Sequence, residues 1–82
     1  MTTVELFSMP GCGACGPVRN TLKRLANDLP ALTIREIDVT EHPEVAARHQ
    51  LMACPAVAID GTVRFVGGVD ETRLRAMVGL LT

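Results

Sequence analysis

Two cysteines, Cys12 and Cys15, stand between a short apolar run at residues 4–7 that is typical of a strand and a long helical run at residues 18–29. Cysteines three positions apart at the start of a helix share one face and lie close enough for a disulfide. A strand that turns at once into a helix is the usual opening of an α/β fold. The pattern predicts such a fold and favours reversible redox chemistry at the pair.

Length and composition limit the classes of protein that this chain can belong to. With 82 residues, 48% of them apolar, we expect a single domain over residues 1–82 that buries about 60–65% of its unfolded surface. A net charge of −1 and two aromatic residues argue against nucleic acid as a partner. No leader or membrane-length apolar run is evident, so we expect a cytoplasmic protein without a membrane partner. Three cysteines fit a reactive pair plus one further thiol.

Apolar periodicity and turn signals divide the chain into seven elements. The helix that follows the cysteines is expected over about 13–29, with Pro30 after its end, and the last helix is expected to be capped by Asp70 and to bury Leu74, Met77, Val78 and Leu81. Thr40 or His42 is expected near the cap of the middle helix. The remaining predicted elements are strands at 4–7, 32–39, Ala56–Ile59 and Thr62–Val66 and a helix at 43–49.

The resulting order, β-α-β-α-β-β-α, predicts a specific sheet. The first βαβ unit requires a right-handed parallel crossover, and Asp60-Gly61 is a strong signal for an antiparallel hairpin. We therefore expect an α/β fold with a mixed four-stranded sheet and helices on both faces. The cysteine pair would lie on the first βα loop, on the side of an open sheet where ligands usually bind.

Four segments, at residues 5–15, 37–44, 54–57 and 65–68, resemble the thioredoxin/glutaredoxin-fold superfamily. The chain is most similar to the small, glutaredoxin-sized thioredoxin-like disulfide oxidoreductases of archaea and bacteria. The resemblance spans almost the whole chain, and a CxxC after the first strand combined with Pro55 before the third makes it specific. It implies the minimal thioredoxin fold.

The resemblance also implies roles for individual residues. Cys12 would be the exposed nucleophile, Cys15 the buried resolving thiol and Pro55 a cis-proline facing the pair, while the backbone of Cys54 would pair with an extended substrate segment. Gly13 and Ala14, between the cysteines, would border that substrate. The implied protein is a protein-disulfide reductase or electron carrier that needs no cofactor beyond its own disulfide. We expect it to be a monomer. Its partners would be disulfide-containing proteins or small disulfides, and an external reductase or glutathione as electron donor.

The sequence departs from the family pattern at several positions, among them the pair between the cysteines, which is Gly-Ala rather than Gly-Pro or Pro-Tyr. Leu6 stands where thioredoxins carry a buried Asp, and strand alternation should turn the nearest carboxylate, Glu5, to the other face. Gly11 replaces the Trp before the first cysteine, and Cys54 replaces the usual Thr, Val or Ile before the proline. A base for the resolving thiol is therefore not evident in the sequence.

Only a thiolate attacks a disulfide, so Cys12 has to ionise near neutral pH. A helix N-terminus stabilises an anion by roughly 0.3–2 kcal/mol. No histidine stands beside the CxxC to add to this effect. We therefore expect a reducing or intermediate potential, and a value more oxidising than about −150 mV would count against this reasoning.

Other interpretations of the same residues stay open at this point. Gly67-Gly68-Val69-Asp70 resembles the segment with which glutaredoxins hold glutathione, and Arg19 and Arg48 are candidate anion contacts, so a glutathione-dependent glutaredoxin is one alternative. A zinc or iron–sulfur module that uses Cys12, Cys15 and Cys54, with His42 or His49 as a further ligand, is another. Cys54 is either a third reactive thiol or a small apolar residue. The two histidines are otherwise solvated helix residues.

Overall fold

The predicted order of elements is confirmed by a computed structural model that describes the backbone of residues 2–81 and the side chains of residues 2–79. None of the helices described there is long and apolar enough to cross a membrane. The elements are β1 (Thr3–Ser8), α1 (Cys15–Asp28), β2 (Thr33–Asp38), α2 (Pro43–Arg48), β3 (Ala56–Ile59), β4 (Thr62–Val66) and α3 (Glu71–Leu81).

The sheet is mixed and four-stranded, as the sequence predicts, with the strand order β2-β1-β3-β4. β1 runs parallel to β2 and antiparallel to β3, and β3 pairs with β4 in the expected antiparallel hairpin. Asp60 and Gly61, at the hairpin turn, both have positive φ values, 49° and 86°. Two successive positive φ values are what a two-residue type I′ hairpin requires. The CxxC segment connects the central strand β1 to α1.

Two apolar clusters lie on opposite faces of the sheet. Leu6 belongs to the larger cluster with α1 and α3, and Phe7 belongs to the smaller one, which packs against α2. Ile34 and Ile37 of the edge strand β2 pack against different clusters, because residues three positions apart in a strand face opposite sides of the sheet. The buried residues of the larger cluster are Val4, Leu6, Val18, Leu22, Leu25, Leu32, Val57, Ile59, Phe65, Leu74 and Val78.

The helix ends agree with the prediction in part. α1 begins at Cys15 rather than 13, because residues 12–14 form a turn in which the Cys15 N–H bonds the Cys12 carbonyl at 3.3 Å. His42 occupies the N-cap of α2 without a side-chain cap, and the Thr40 hydroxyl bonds Asp38 instead. The cap of α3 is confirmed, since Asp70 Oδ1 accepts the Arg73 N–H at 3.2 Å. Leu74 and Val78 are buried and Met77 is half-buried, as expected, whereas the side chain of Leu81 lies outside the described residues.

Candidate active site

Cys12 and Cys15 are joined by a disulfide at the point where β1 gives way to α1, and their Cα atoms are 5.4 Å apart. A tight turn positions the first cysteine, because its N–H bonds the Met9 carbonyl at 3.2 Å. Gly11 allows this turn with a φ of +80°, a conformation that favours glycine. The chain thus leaves the sheet, reverses and enters the helix within a few residues.

The two sulfur-bearing residues differ in exposure. Cys15 is only 1% exposed, as the first residue of α1 facing the core. Cys12 is half-buried and lies just before the helix, so it is the cysteine open to solvent. An incoming disulfide therefore has access to only one of the two sulfurs without displacement of the helix.

A cis peptide bond links Cys54 to Pro55, as the resemblance predicts. Pro55 is fully buried, and its carbonyl accepts the N–H of Gly67 at 2.7 Å. Gly67 has a φ of +85° and provides this contact from the loop after β4. The cis-proline loop and the Gly67-Gly68 loop are therefore held to each other.

Cys54 is a free, half-buried thiol that packs against the cluster around Phe7. Burial raises the pKa of this thiol, and the negative charge of Asp38 raises it further. A groove of about 260 Å³ passes it, lined by apolar side chains that include Met9 and Met52. Because a protonated thiol is a poor nucleophile and a poor metal ligand, these surroundings favour a small apolar role for Cys54.

A second groove of about 260 Å³ lies between the start of α1 and the Gly67-Gly68 loop. Ala14 and Pro17 line one side, and Gly67, Gly68 and Val69 line the other. Apart from the two chain neighbours, no described residue has an atom within 4 Å of the place where a Cβ on either glycine would stand, so the groove is open at both. Asp70, next along the chain, uses its carboxylate to cap α3.

The residues proposed for a metal module are not brought together. No group of three or more His, Cys, Asp or Glu side chains that could hold a metal ion occurs in the described part of the chain. Cys12 and Cys15 bond each other, His42 lies 3.4 Å from a carboxylate oxygen of Glu44, and the His49 ring packs on Phe7 with centroids 5.0 Å apart. The zinc and iron–sulfur alternative is therefore not supported by the geometry.

One side-chain cluster near the site was missed by sequence reasoning. Both oxygens of Glu36 bind Arg19, from Nε at 2.6 Å and from Nη2 at 2.7 Å, and the Ser8 hydroxyl donates to Oε2 at 3.0 Å. The guanidinium of Arg19 holds the pKa of Glu36 below its usual range. Arg19, one of the two candidate anion contacts, therefore has its charge paired with Glu36 in this structure. The sequence carries no signal that predicts a contact between Arg19 and Glu36, because this contact depends on the register of β1 and β2.

The thioredoxin domain family matches residues 2–79 of this sequence. The chain belongs to the thioredoxin family. The thioredoxin of Methanocaldococcus jannaschii is 35% identical over 72 residues, which cover 87% of this chain and 85% of that protein. The probable thioredoxin of Methanothermobacter thermautotrophicus is 31% identical over 75 residues, or 90% and 88% of the two chains. The X-ray structure of Fasciola hepatica thioredoxin matches with a TM-score of 0.81 and 27% identity, covering 99% of this chain and 81% of that one.

The family and the disulfide together establish the class of chemistry. This thioredoxin-family chain is a thiol–disulfide oxidoreductase with a CxxC disulfide at the start of α1. The expected fold class is confirmed as well, because the mixed sheet with helices on both faces is the thioredoxin architecture.

Proposed function

We propose that this chain reduces protein or small-molecule disulfides through a cycle of the Cys12–Cys15 pair, with Cys12 as the nucleophile and Cys15 as the resolving thiol. The observation that carries the assignment is the difference in exposure, with Cys15 only 1% exposed and Cys12 open to solvent. A nucleophile has to reach the substrate, whereas a resolving thiol has only to reach its neighbour.

The cycle balances as two thiol–disulfide exchanges. The Cys12 thiolate attacks one sulfur of the substrate, a mixed disulfide forms, and the first substrate thiolate leaves and takes up a proton. Cys15 then loses its proton and attacks the Cys12 sulfur, which restores the Cys12–Cys15 disulfide and releases the second substrate thiolate, and this thiolate also takes up a proton. The substrate has gained two electrons and two protons. An external reductant returns two electrons to the pair.

The N-terminal end of α1 supplies the activation of Cys12. The unpaired N–H groups and the dipole of a helix N-terminus stabilise an adjacent anion by roughly 0.3–2 kcal/mol. No acidic residue stands in the first turn of α1 to oppose this effect. Because no imidazole adds to it either, we propose a reducing or intermediate potential.

The substrate would lie across the exposed segments beside the disulfide. We assign the backbone of Cys54, before the cis Pro55, to pairing with an extended substrate chain. Gly13 and Ala14 are both exposed between the cysteines, and a Cβ at Gly13 would meet no atom of a described residue within 4 Å apart from its chain neighbours. These small residues leave room for a protein backbone to approach Cys12.

Glutathione is the second candidate electron donor, because the groove beside Gly67, Gly68 and Asp70 adjoins the start of α1. A glutaredoxin mode would place the carboxylates of glutathione there. The pairing of Arg19 with Glu36 removes one cation that such a ligand would need. We therefore favour an external reductase as donor and retain glutathione as the alternative.

The remaining expectations concern assembly and location. We propose a monomer of one domain over residues 1–82 that acts in the cytoplasm. The edge strand β2 exposes Arg35 and Glu36, and charged side chains on an edge disfavour pairing with another chain. Consider a dimer in which β2 pairs antiparallel with the β2 of a second copy about a two-fold axis at the centre of the strand. Arg35 or Glu36 would then lie directly opposite the same residue of the second copy, and like charges directly opposite each other are destabilising.

A comparison of two coupled assays tests the proposed function. Insulin reduction is followed with a thioredoxin reductase and NADPH, and in parallel with glutathione, glutathione reductase and NADPH. We expect turnover in the first assay, little in the second, and none in either for the variant with both Cys12 and Cys15 changed to Ser. Faster turnover with glutathione would support the glutaredoxin alternative, and equal turnover by the double variant would refute the role of the pair.

A further inference from the structure

Glu36 joins three segments that meet at the base of the CxxC helix. Its carboxylate binds Arg19 of α1 with both oxygens and accepts the hydroxyl of Ser8, the last residue of β1. Ser8 is only 5% exposed, so its hydroxyl has few partners other than this carboxylate. Charge-assisted, two-pronged bonds of this kind fix geometry as well as charge.

The ion pair lies one helical turn from the resolving cysteine. Arg19 follows Cys15 by four positions in α1, and residues so spaced share a helix face with Cβ atoms about 5–6 Å apart. On β1, Leu6 contributes no charge to this face of the sheet. The Arg19–Glu36 pair therefore places a positive and a negative charge together beside the CxxC pair.

The two charges have opposite effects on the thiols. Arg19 alone would favour a cysteine thiolate, stabilise the reduced form and make the disulfide more oxidising. Glu36 alone would do the reverse. With Nε and Oε1 only 2.6 Å apart, the two fields largely cancel at the cysteines. Lys23, the other cation that faces Glu36, lies a further turn along α1.

We propose that Glu36 is a positioning residue that cancels the charge of Arg19 beside the CxxC pair and so keeps the pair reducing. The inference rests on the proposed function, since it assumes that Cys12 and Cys15 are the redox couple. Glu36 is an exposed strand residue and influences a disulfide that it does not touch. The influence acts through Arg19, which shares the helix with Cys15.

The test measures the equilibrium between oxidised protein and a dithiothreitol buffer in three variants. At about pH 8.5, where a cysteine at a helix N-terminus is ionised, Glu36→Gln should shift the equilibrium about threefold toward reduced protein. Arg19→Gln should shift it about threefold the other way, and the double variant should return close to wild type. Both shifts should shrink at high salt, because the two side chains are 40% and 38% exposed.

Ser8→Ala is the matched control, because it removes a hydrogen bond to Glu36 without changing charge. Its equilibrium should stay at the wild-type value. Shifts of the same sign in Glu36→Gln and Arg19→Gln, or a shift in Ser8→Ala as large as theirs, would refute the electrostatic role and indicate a structural one. No shift in any variant would also refute it. If wild-type protein shows no dithiol–disulfide equilibrium, the proposed function fails instead.

Discussion

Leu6 lies beneath α1 on the strand that leads to Cys12. Replacing it with Asp or Asn tests whether water reaches this part of the core. The side chain is only 1% exposed and belongs to the same cluster as Val18 and Leu22. Asp and Asn have nearly the same shape. Any difference between the two variants at neutral pH therefore measures the cost of a charge at this position.

Both variants lose the apolar burial of Leu6, a loss of about 2–5 kcal/mol by analogy with truncation to Ala. The Asp variant carries a further cost. Burial raises the pKa of a carboxyl by up to about 3–5 units, and at 1.36 kcal/mol per unit this is about 4–7 kcal/mol at neutral pH. Because the folded pKa lies above the unfolded value of about 3.9, the two variants should be equally stable below that pH, and the gap should open as pH rises.

Urea denaturation of Leu6→Asn and Leu6→Asp between about pH 4 and pH 8 provides the measurement. A domain of this size is stable by roughly 4–12 kcal/mol, so the Asn variant should retain a folded population and the Asp variant should unfold as pH rises. A gap below about 1 kcal/mol at neutral pH would refute the reasoning, since it would mean that the carboxylate remains hydrated or finds a partner beneath the CxxC helix.

Four further predictions follow from particular residues. Gln50 has a φ of +54° after α2, so Gln50→Gly should stabilise the chain by about 0.5–1 kcal/mol in urea denaturation, and a loss would contradict this. Burial and the charge of Asp38 raise the pKa of the Cys54 thiol, so in the oxidised protein this thiol should react with Ellman's reagent more slowly than a free thiol. The reaction should be faster in Asp38→Asn, and equal rates for wild type and this variant would refute the reasoning. Cys54→Val should leave turnover unchanged, whereas lost turnover would assign the third thiol to catalysis. Arginine partners lower the pKa of Glu71, so wild type should lose stability relative to Glu71→Gln only as pH falls below about 4.3. A difference in the free energy of unfolding between the two proteins that stays constant across this pH range would contradict the prediction.

The features that the sequence predicts correctly depend on local chemistry. Asp60-Gly61 requires positive φ values and forms the expected hairpin turn, and Asp70 caps α3 as its position before a helical run predicts. The CxxC between a strand and a helix, with Pro55 before β3, indicated both the fold and the redox pair. For the hairpin turn and the α3 cap, the signal lies within a few residues of the structure that it predicts.

The features that escaped prediction depend on contacts between distant segments. Arg19 and Glu36 are 17 positions apart and meet only because β2 lies beside β1 and beneath α1. α1 begins at Cys15 rather than at about 13, because the Cys15 N–H bonds the Cys12 carbonyl in a turn that precedes the helix. Periodicity carries no information on such register or on how a loop joins a helix.

The central claim is that Cys12 attacks and Cys15 resolves, and trapping of the mixed disulfide tests it most directly. The Cys15→Ser and Cys12→Ser proteins, each in a Cys54→Val background, are incubated with a disulfide-containing substrate such as insulin. The products are identified by mass spectrometry under non-reducing conditions. We predict a stable adduct through Cys12 in the Cys15→Ser protein and little or none in the Cys12→Ser protein. An adduct that forms faster through Cys15 would contradict the assignment of the two roles.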